Sequence, residues 1–300
     1  RTTGAPISLL IENSDVDSDK YSPVKELYKP GHAHFTYLQK YGIYDHRGGG
    51  RASARETACR VAAGAIAKKA LRTFGVEALA WLSSVGEIAA AKKPLSRLDV
   101  YSSNLFCPDE AAAKAMAALI QEVKEAGDSI GGVVEFMLLN LPAGLGDPVY
   151  EKLEANLAKA MMGLPASKGF EIGEGFKAST LRGSQHNDGF TAAAGSVRPH
   201  TNFAGGTLGG ISTGMPVTCR VAFKPTSSIR LPQKTATVSG KEGTFQLPEG
   251  SRHDPCVAVR AVPVVEAMAA LVALDALLVN RTVRLDENAR YPHSASARPH

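Results

Sequence analysis

The chain has 300 residues, 44% hydrophobic and 21% charged, with 34 Lys and Arg against 29 Asp and Glu for a formal net charge of +5. A chain of this length buries roughly three-quarters of its extended surface on folding, so it needs neither disulfides nor a structural metal, and its mixed charge excludes a disordered polyelectrolyte. Cys59, Cys107, Cys219 and Cys256 form no CxxC pair, and the longest apolar stretch, 262–279, is broken by Glu266 and Asp275. These features argue against a zinc or redox site and a membrane span, and for a reducing, cytoplasmic compartment.

The chain opens Arg1-Thr2-Thr3-Gly4 and passes quickly into Ile7-Ser8-Leu9-Leu10-Ile11-Glu12, which reads as a core strand. So abrupt an entry predicts a missing beginning. Next, Lys29-Pro30-Gly31-His32-Ala33-His34 places a histidine on a fixed turn. There its ring either delivers a proton near neutral pH or serves as a hydrogen-bonded turn residue.

The most informative stretch runs from Asp45 to Thr57, with Gly48-Gly49-Gly50 ahead of a helix over 54–74. Three glycines admit a close ligand, the helix start offers free amides, and Arg47, Arg51 and Arg55 add positive charge, which suits a phosphate or carboxylate. The other reading is a glycine-rich turn capped by solvated arginines. Ser53-Ala54-Arg55-Glu56 reads as a capping box, with Glu56 reaching back to the Ser53 amide.

Helical spacing predicts further helices over 109–126 and 148–162, and a helix over 264–278 so apolar all round that it belongs between layers. Strands are expected over 132–141 and 219–224. Irregular alternation of the two gives an α+β or layered α/β class. Residues 1–283 read as one domain and 284–300 as a mobile tail. Three loops carry further chemistry: Asn202 to Gly214, whose paired glycines leave room for a flat ring or make a tight turn; Lys224-Pro225-Thr226-Ser227-Ser228, with one cation and three hydroxyls; and Arg252-His253-Asp254-Pro255-Cys256.

Taken in order from Thr2 to about Arg281, these segments resemble chorismate synthase, most clearly through Gly49-Gly50-Arg51-Ala52-Ser53-Ala54-Arg55-Glu56-Thr57 and through Arg252-His253-Asp254-Pro255-Cys256. Pro30-Gly31-His32-Ala33, Gly127-Asp128-Ser129-Ile130-Gly131 and Arg182-Gly183-Ser184-Gln185 add to it. The resemblance implies a layered β-α-β sandwich within the α+β class and a homotetramer. It also implies conversion of 5-enolpyruvylshikimate 3-phosphate to chorismate by 1,4-anti elimination of phosphate, with reduced FMN as cofactor and NADPH as a candidate flavin reductant. It assigns FMN to Arg51, Ala52, Ser53, Pro165, Ala166, Gly209, Lys224, Pro225, Thr226, Ser227, Ser228 and Arg252. Substrate anions fall to Lys29, Arg55 and Arg252, and catalysis to His32 beside the flavin and Asp254 at the C6 proton. No metal, nucleic acid or membrane is implied. An RNA-binding reading of the basic charge fails for want of an aromatic stacking platform.

The chain departs from the family pattern in three places. Lys29 stands where arginine is common, giving a point charge in place of a fork. His34 replaces an acid near His32 and is expected to lower its pKa by like-charge repulsion. The family's Gly-Glu-Ser-His-Gly and Arg-Arg-Arg-Pro-Gly segments do not occur, so the chain is expected to be N-terminally incomplete. A catalytically impaired FMN- or anion-binding fragment, or a non-catalytic homologue, is therefore the alternative to an active enzyme.

Overall fold

The structure, a computed structural model, describes residues 2–14, 17–91, 93–94, 96–193, 195–248, 250–251 and 254–284. Arg252 and most of the expected tail, 285–300, lie outside them. In chain order the helices are α1 (His34–Tyr41), α2 (Thr57–Arg72), α3 (Arg97–Tyr101), α4 (Glu110–Glu125), α5 (Leu153–Met162), α6 (Gly183–His186) and α7 (Val257–Asn280). The strands are β1 (Glu77–Val85), β2 (Ile88–Ala89), β3 (Gly132–Leu139), β4 (Ser167–Ile172), β5 (Phe190–Ala193), β6 (Ser196–Pro199), β7 (Thr207–Leu208), β8 (Ile211–Ser212), β9 (Val217–Phe223), β10 (Gln233–Ala236) and β11 (Glu242–Phe245). This mixture is α+β.

Five strands pair antiparallel in the order β2-β1-β3-β9-β4. Along β3, Gly132, Val134, Phe136 and Leu138 are buried while their neighbours are half-buried, the period of two that sets one face on a core. Register places Val134 opposite Val221 and Phe136 opposite Cys219, so the inner faces of β3 and β9 coincide. Strand β1, next to the centre of the sheet, is covered on both sides: Ala78, Ala80 and Leu82 join that core, whereas Leu79 and Trp81 form a second cluster with Val100 of α3.

Helix α7 lies against β1 and β3 with α2 and α5 beside it, the inner position that its all-round apolar character requires. It is long and apolar enough to cross a membrane, yet Val262, Val265, Ala269, Ala273 and Leu277 are fully covered within the fold. It also begins earlier than the pattern predicts and runs through Pro263. Tertiary packing overrides the hydrogen bond that proline removes. Its crossing with α2 is close: a Cβ on Gly64 would sit 2.3 Å from the Ala267 Cβ. Beside that crossing Glu266 is fully buried, accepting from Lys68 Nζ at 2.6 Å, Arg97 Nη1 at 2.8 Å and the Tyr101 hydroxyl at 3.2 Å.

Three expectations require correction. Residues 7–12 form no strand; Leu10 is 87% exposed, and no described strand runs alongside to satisfy its backbone. The helix expected from 148 starts at Leu153. Ser53 does accept from the Arg55 amide at 3.5 Å, but Glu56 does not close the capping box; the Ser53 amide donates to the Gly50 carbonyl, and Glu56 pairs with Arg60.

Candidate active site

The glycine loop ahead of α2 is built for close approach. Gly48, Gly49 and Gly50 all take positive φ, at 92°, 80° and 48°. A Cβ on Gly48 would fall 2.9 Å from Arg55 Nη2, and one on Gly49 would fall 3.4 Å from His32 Cε1. The loop therefore folds over the His32 ring, while Arg55 turns back to donate to the Gly48 carbonyl at 2.5 Å.

A second loop closes on the same histidine. Lys224 Nζ donates to the Gly31 carbonyl at 2.7 Å, and Lys29 Nζ donates to Ser228 Oγ at 2.6 Å. Gly31 makes this contact fit, since a Cβ there would meet Ser227 Cβ at 3.2 Å. The Gly127-Asp128-Ser129-Ile130-Gly131 segment supports the loop from behind: Ser129 Oγ donates to the Thr226 carbonyl at 2.8 Å, and Gly131 passes where a Cβ would lie 2.6 Å from the Phe223 carbonyl. Ala166, at φ 67°, accepts from the Lys224 amide at 2.9 Å, a strained backbone of the kind that clusters at functional sites.

Together these segments line one cleft of about 710 Å³. It holds Lys29 and His32, Arg51 to Ser53, Pro165 and Ala166, and Lys224 to Ser228, drawn from four distant parts of the chain. Its volume lies in the range of small-molecule sites. Sequence reasoning missed the neutral wall, made by Tyr21, Tyr37, Tyr44, Phe245 and Leu247, and missed His46 and Arg60. No motif marks these residues; Tyr37 comes from α1, Arg60 from α2 and Phe245 from β11, and the others from the segments between these named helices and strands.

Other sequence candidates stand elsewhere. Arg55 is tied to Gly48 and does not line the cleft. Asp254 does not line the cleft: its carbonyl accepts from Thr226 Oγ1 of the lining at 2.8 Å, and its carboxylate faces Arg260 at 3.1 Å and the Cys256 amide at 3.3 Å. Gly209 caps the β7–β8 hairpin with open space at its Cβ position and is not in the cleft. Its neighbours serve the tight-turn reading, since Gly205 and Gly206 pack against the backbone at Gly173 and Pro216. Arg252 lies outside the described residues.

The electrostatics of the cleft are distinctive. His32 is pushed down to about 4, first by burial and then by Lys29, Lys224 and His34, so the ring is neutral at pH 7. The repulsion expected from His34 is the smallest of these causes; His34 is itself buried, stacked on Tyr44 at 4.1 Å, and lowered by burial. Burial also lowers Lys29. Nδ1 of His32 is buried without a hydrogen-bond partner among the described residues. An unpartnered buried nitrogen beside two lysines has unmet capacity for a ligand.

Fold and cleft together describe an α+β protein with a cation-lined cleft of small-molecule size. The family model described as chorismate synthase matches residues 1–278. The chain is 56% identical over 294 residues to the chorismate synthase of Protochlamydia amoebophila (strain UWE25), covering 95% of this chain and 80% of that protein. It is 49% identical over 278 residues to the chorismate synthase of Opitutus terrae (strain DSM 11246 / JCM 15787 / PB90-1), covering 92% and 76%. A solved structure titled as the crystal structure of chorismate synthase superposes with a TM-score of 0.67 at 35% identity, over 81% of this chain and 69% of that one. The chain belongs to the chorismate synthase family, a family of carbon–oxygen lyases.

Proposed function

We propose that the cleft binds reduced FMN together with 5-enolpyruvylshikimate 3-phosphate and releases phosphate by 1,4-anti elimination, leaving chorismate. The observation that carries this reading is the convergence of Lys29, His32, Arg51 to Ser53, Pro165 and Ala166, and Lys224 to Ser228 on one cleft. The residues fit a flavin nucleotide and a phosphorylated dicarboxylate: hydroxyls and cations for phosphate, a neutral aromatic wall, and an unpartnered His32 Nδ1. Reduced FMN, when bound, supplies transient electron density that favours loss of phosphate. Lys224 and Lys29, already oriented by Gly31 and Ser228, stabilise negative charge on the departing phosphate.

His32 starts neutral, and an anion bound beside it opposes the influence of both lysines, so a proton can be held at Nδ1 once the cleft is filled. Asp254 serves proton removal at C6 only when its carboxylate leaves Arg260. We assign Arg252 to the same anions by resemblance, and propose a homotetramer and NADPH as reductant on the same ground; the sequence pattern supports a single domain over 1–283, and the widely spaced cysteines support a cytoplasmic location. The test is anaerobic phosphate release from 5-enolpyruvylshikimate 3-phosphate. Release that depends on reduced FMN supports the reading; absent FMN binding, or release indifferent to FMN, refutes it.

A further inference from the structure

Glu56, the residue that caps the N-terminus of α2, puts one carboxylate into a wall of cations. Among the described residues Glu56 is the only acidic side chain lining the cleft, which also carries Lys25, Lys29, Arg51 and Lys224. Left to itself, a carboxylate here opposes an anionic ligand twice, by repelling it and by competing for the same cations. The geometry prevents both. Arg60, one turn further along α2, closes a two-point fork on Glu56, with Nη2 to Oε1 at 2.9 Å and Nε to Oε2 at 3.2 Å. Both side chains are largely withdrawn from solvent, at 29% and 23% exposure. The position that a capping box would give Glu56 is unused, because the Ser53 amide already donates to Gly50. Arg60 thus decides where this carboxylate points.

We propose that Arg60 is a positioning residue that masks Glu56, so that the cleft presents a positive field to phosphorylated and carboxylated ligands. The inference rests on the anion-binding reading of the cleft and concerns residues to which that reading gave no role.

The test compares the wild type, Arg60→Met, Glu56→Gln and the double variant by fluorescence titration with oxidised FMN, with thermal unfolding as a check on folding. Arg60→Met should weaken FMN about tenfold, equivalent to about 1.4 kcal/mol. Glu56→Gln should bind at least as tightly as the wild type, and the double variant should return to within about twofold of it, because the liability that Arg60 masks is gone. A double variant as weak as Arg60→Met would overturn the proposal, since Arg60 would then act on the ligand or the backbone directly. So would an Arg60→Met protein that binds normally. If the wild type fails to bind FMN, the proposed function fails instead; the same four proteins are then compared by the protection that inorganic phosphate gives against unfolding, with the same pattern expected and the same outcomes decisive.

Discussion

Lowering the proton affinity of His32 links the cleft to the stability of the ligand-free protein. The unfolded chain binds a proton at this ring near its ordinary value of 6.5, whereas the folded chain does so only near 4. Between these values the unfolded state holds more protons, so stability is full above about pH 6.5 and falls as pH drops towards 4. A difference of this size corresponds to roughly 3 kcal/mol, reduced to about 2 kcal/mol if the open cleft screens the lysines. Urea unfolding of the wild type and His32→Gln at about pH 7.5 and about pH 4.5 isolates this contribution, because His34 and the carboxylates are common to both proteins. The wild type should lose about 2–3 kcal/mol more than the variant on acidification. Parallel losses would refute the placement of a buried, cation-flanked ring at His32.

Three further outcomes follow from packing and charge. Gly64→Ala drives a methyl into Ala267 at the α2–α7 crossing and should cost about 3 kcal/mol in chemical denaturation. Glu266→Ala leaves Lys68 and Arg97 without their shared carboxylate and should cost about 3–5 kcal/mol, with Glu266→Gln closer to the wild type; equal, small losses would contradict a buried ionic node. Lys224→Met removes a charged hydrogen-bond donor from the cleft and should weaken FMN by about 1.5–3 kcal/mol in a fluorescence titration while leaving the thermal midpoint within a few degrees.

Much of the fold was legible because it is written in periodicity. Buried positions on β3 and β9 alternate strictly, and the helical spacing of 109–126 matches α4, with Asp109 as its N-cap accepting from the amides of Ala111 and Ala112. Residues 7–12 misled the reading because composition reports a tendency to pair, and pairing needs a neighbour that composition does not locate. For the cleft, glycine loops and clustered cations gave away Gly48 to Ser53 and Lys224 to Ser228, since their backbone demands are local. The aromatic wall and the Arg60–Glu56 fork were hidden: Tyr37 on α1 and Tyr44 just beyond it reach the site only through tertiary packing, and an i,i+4 ion pair looks the same in sequence whether it faces solvent or a ligand. Arg55 and Asp254 show the reverse, with functional residue types whose charged groups are held by Gly48 and Arg260.

The central claim is that segments far apart in the chain form one flavin and anion site. Hydrogen–deuterium exchange with and without FMN tests it directly. FMN should slow exchange together in the Lys29–His34, Gly48–Ser53 and Lys224–Ser228 segments, which line the cleft. Protection confined to the adjoining groove over α5 and α7, near Met268 and Val272, or absent from the three segments, would contradict it.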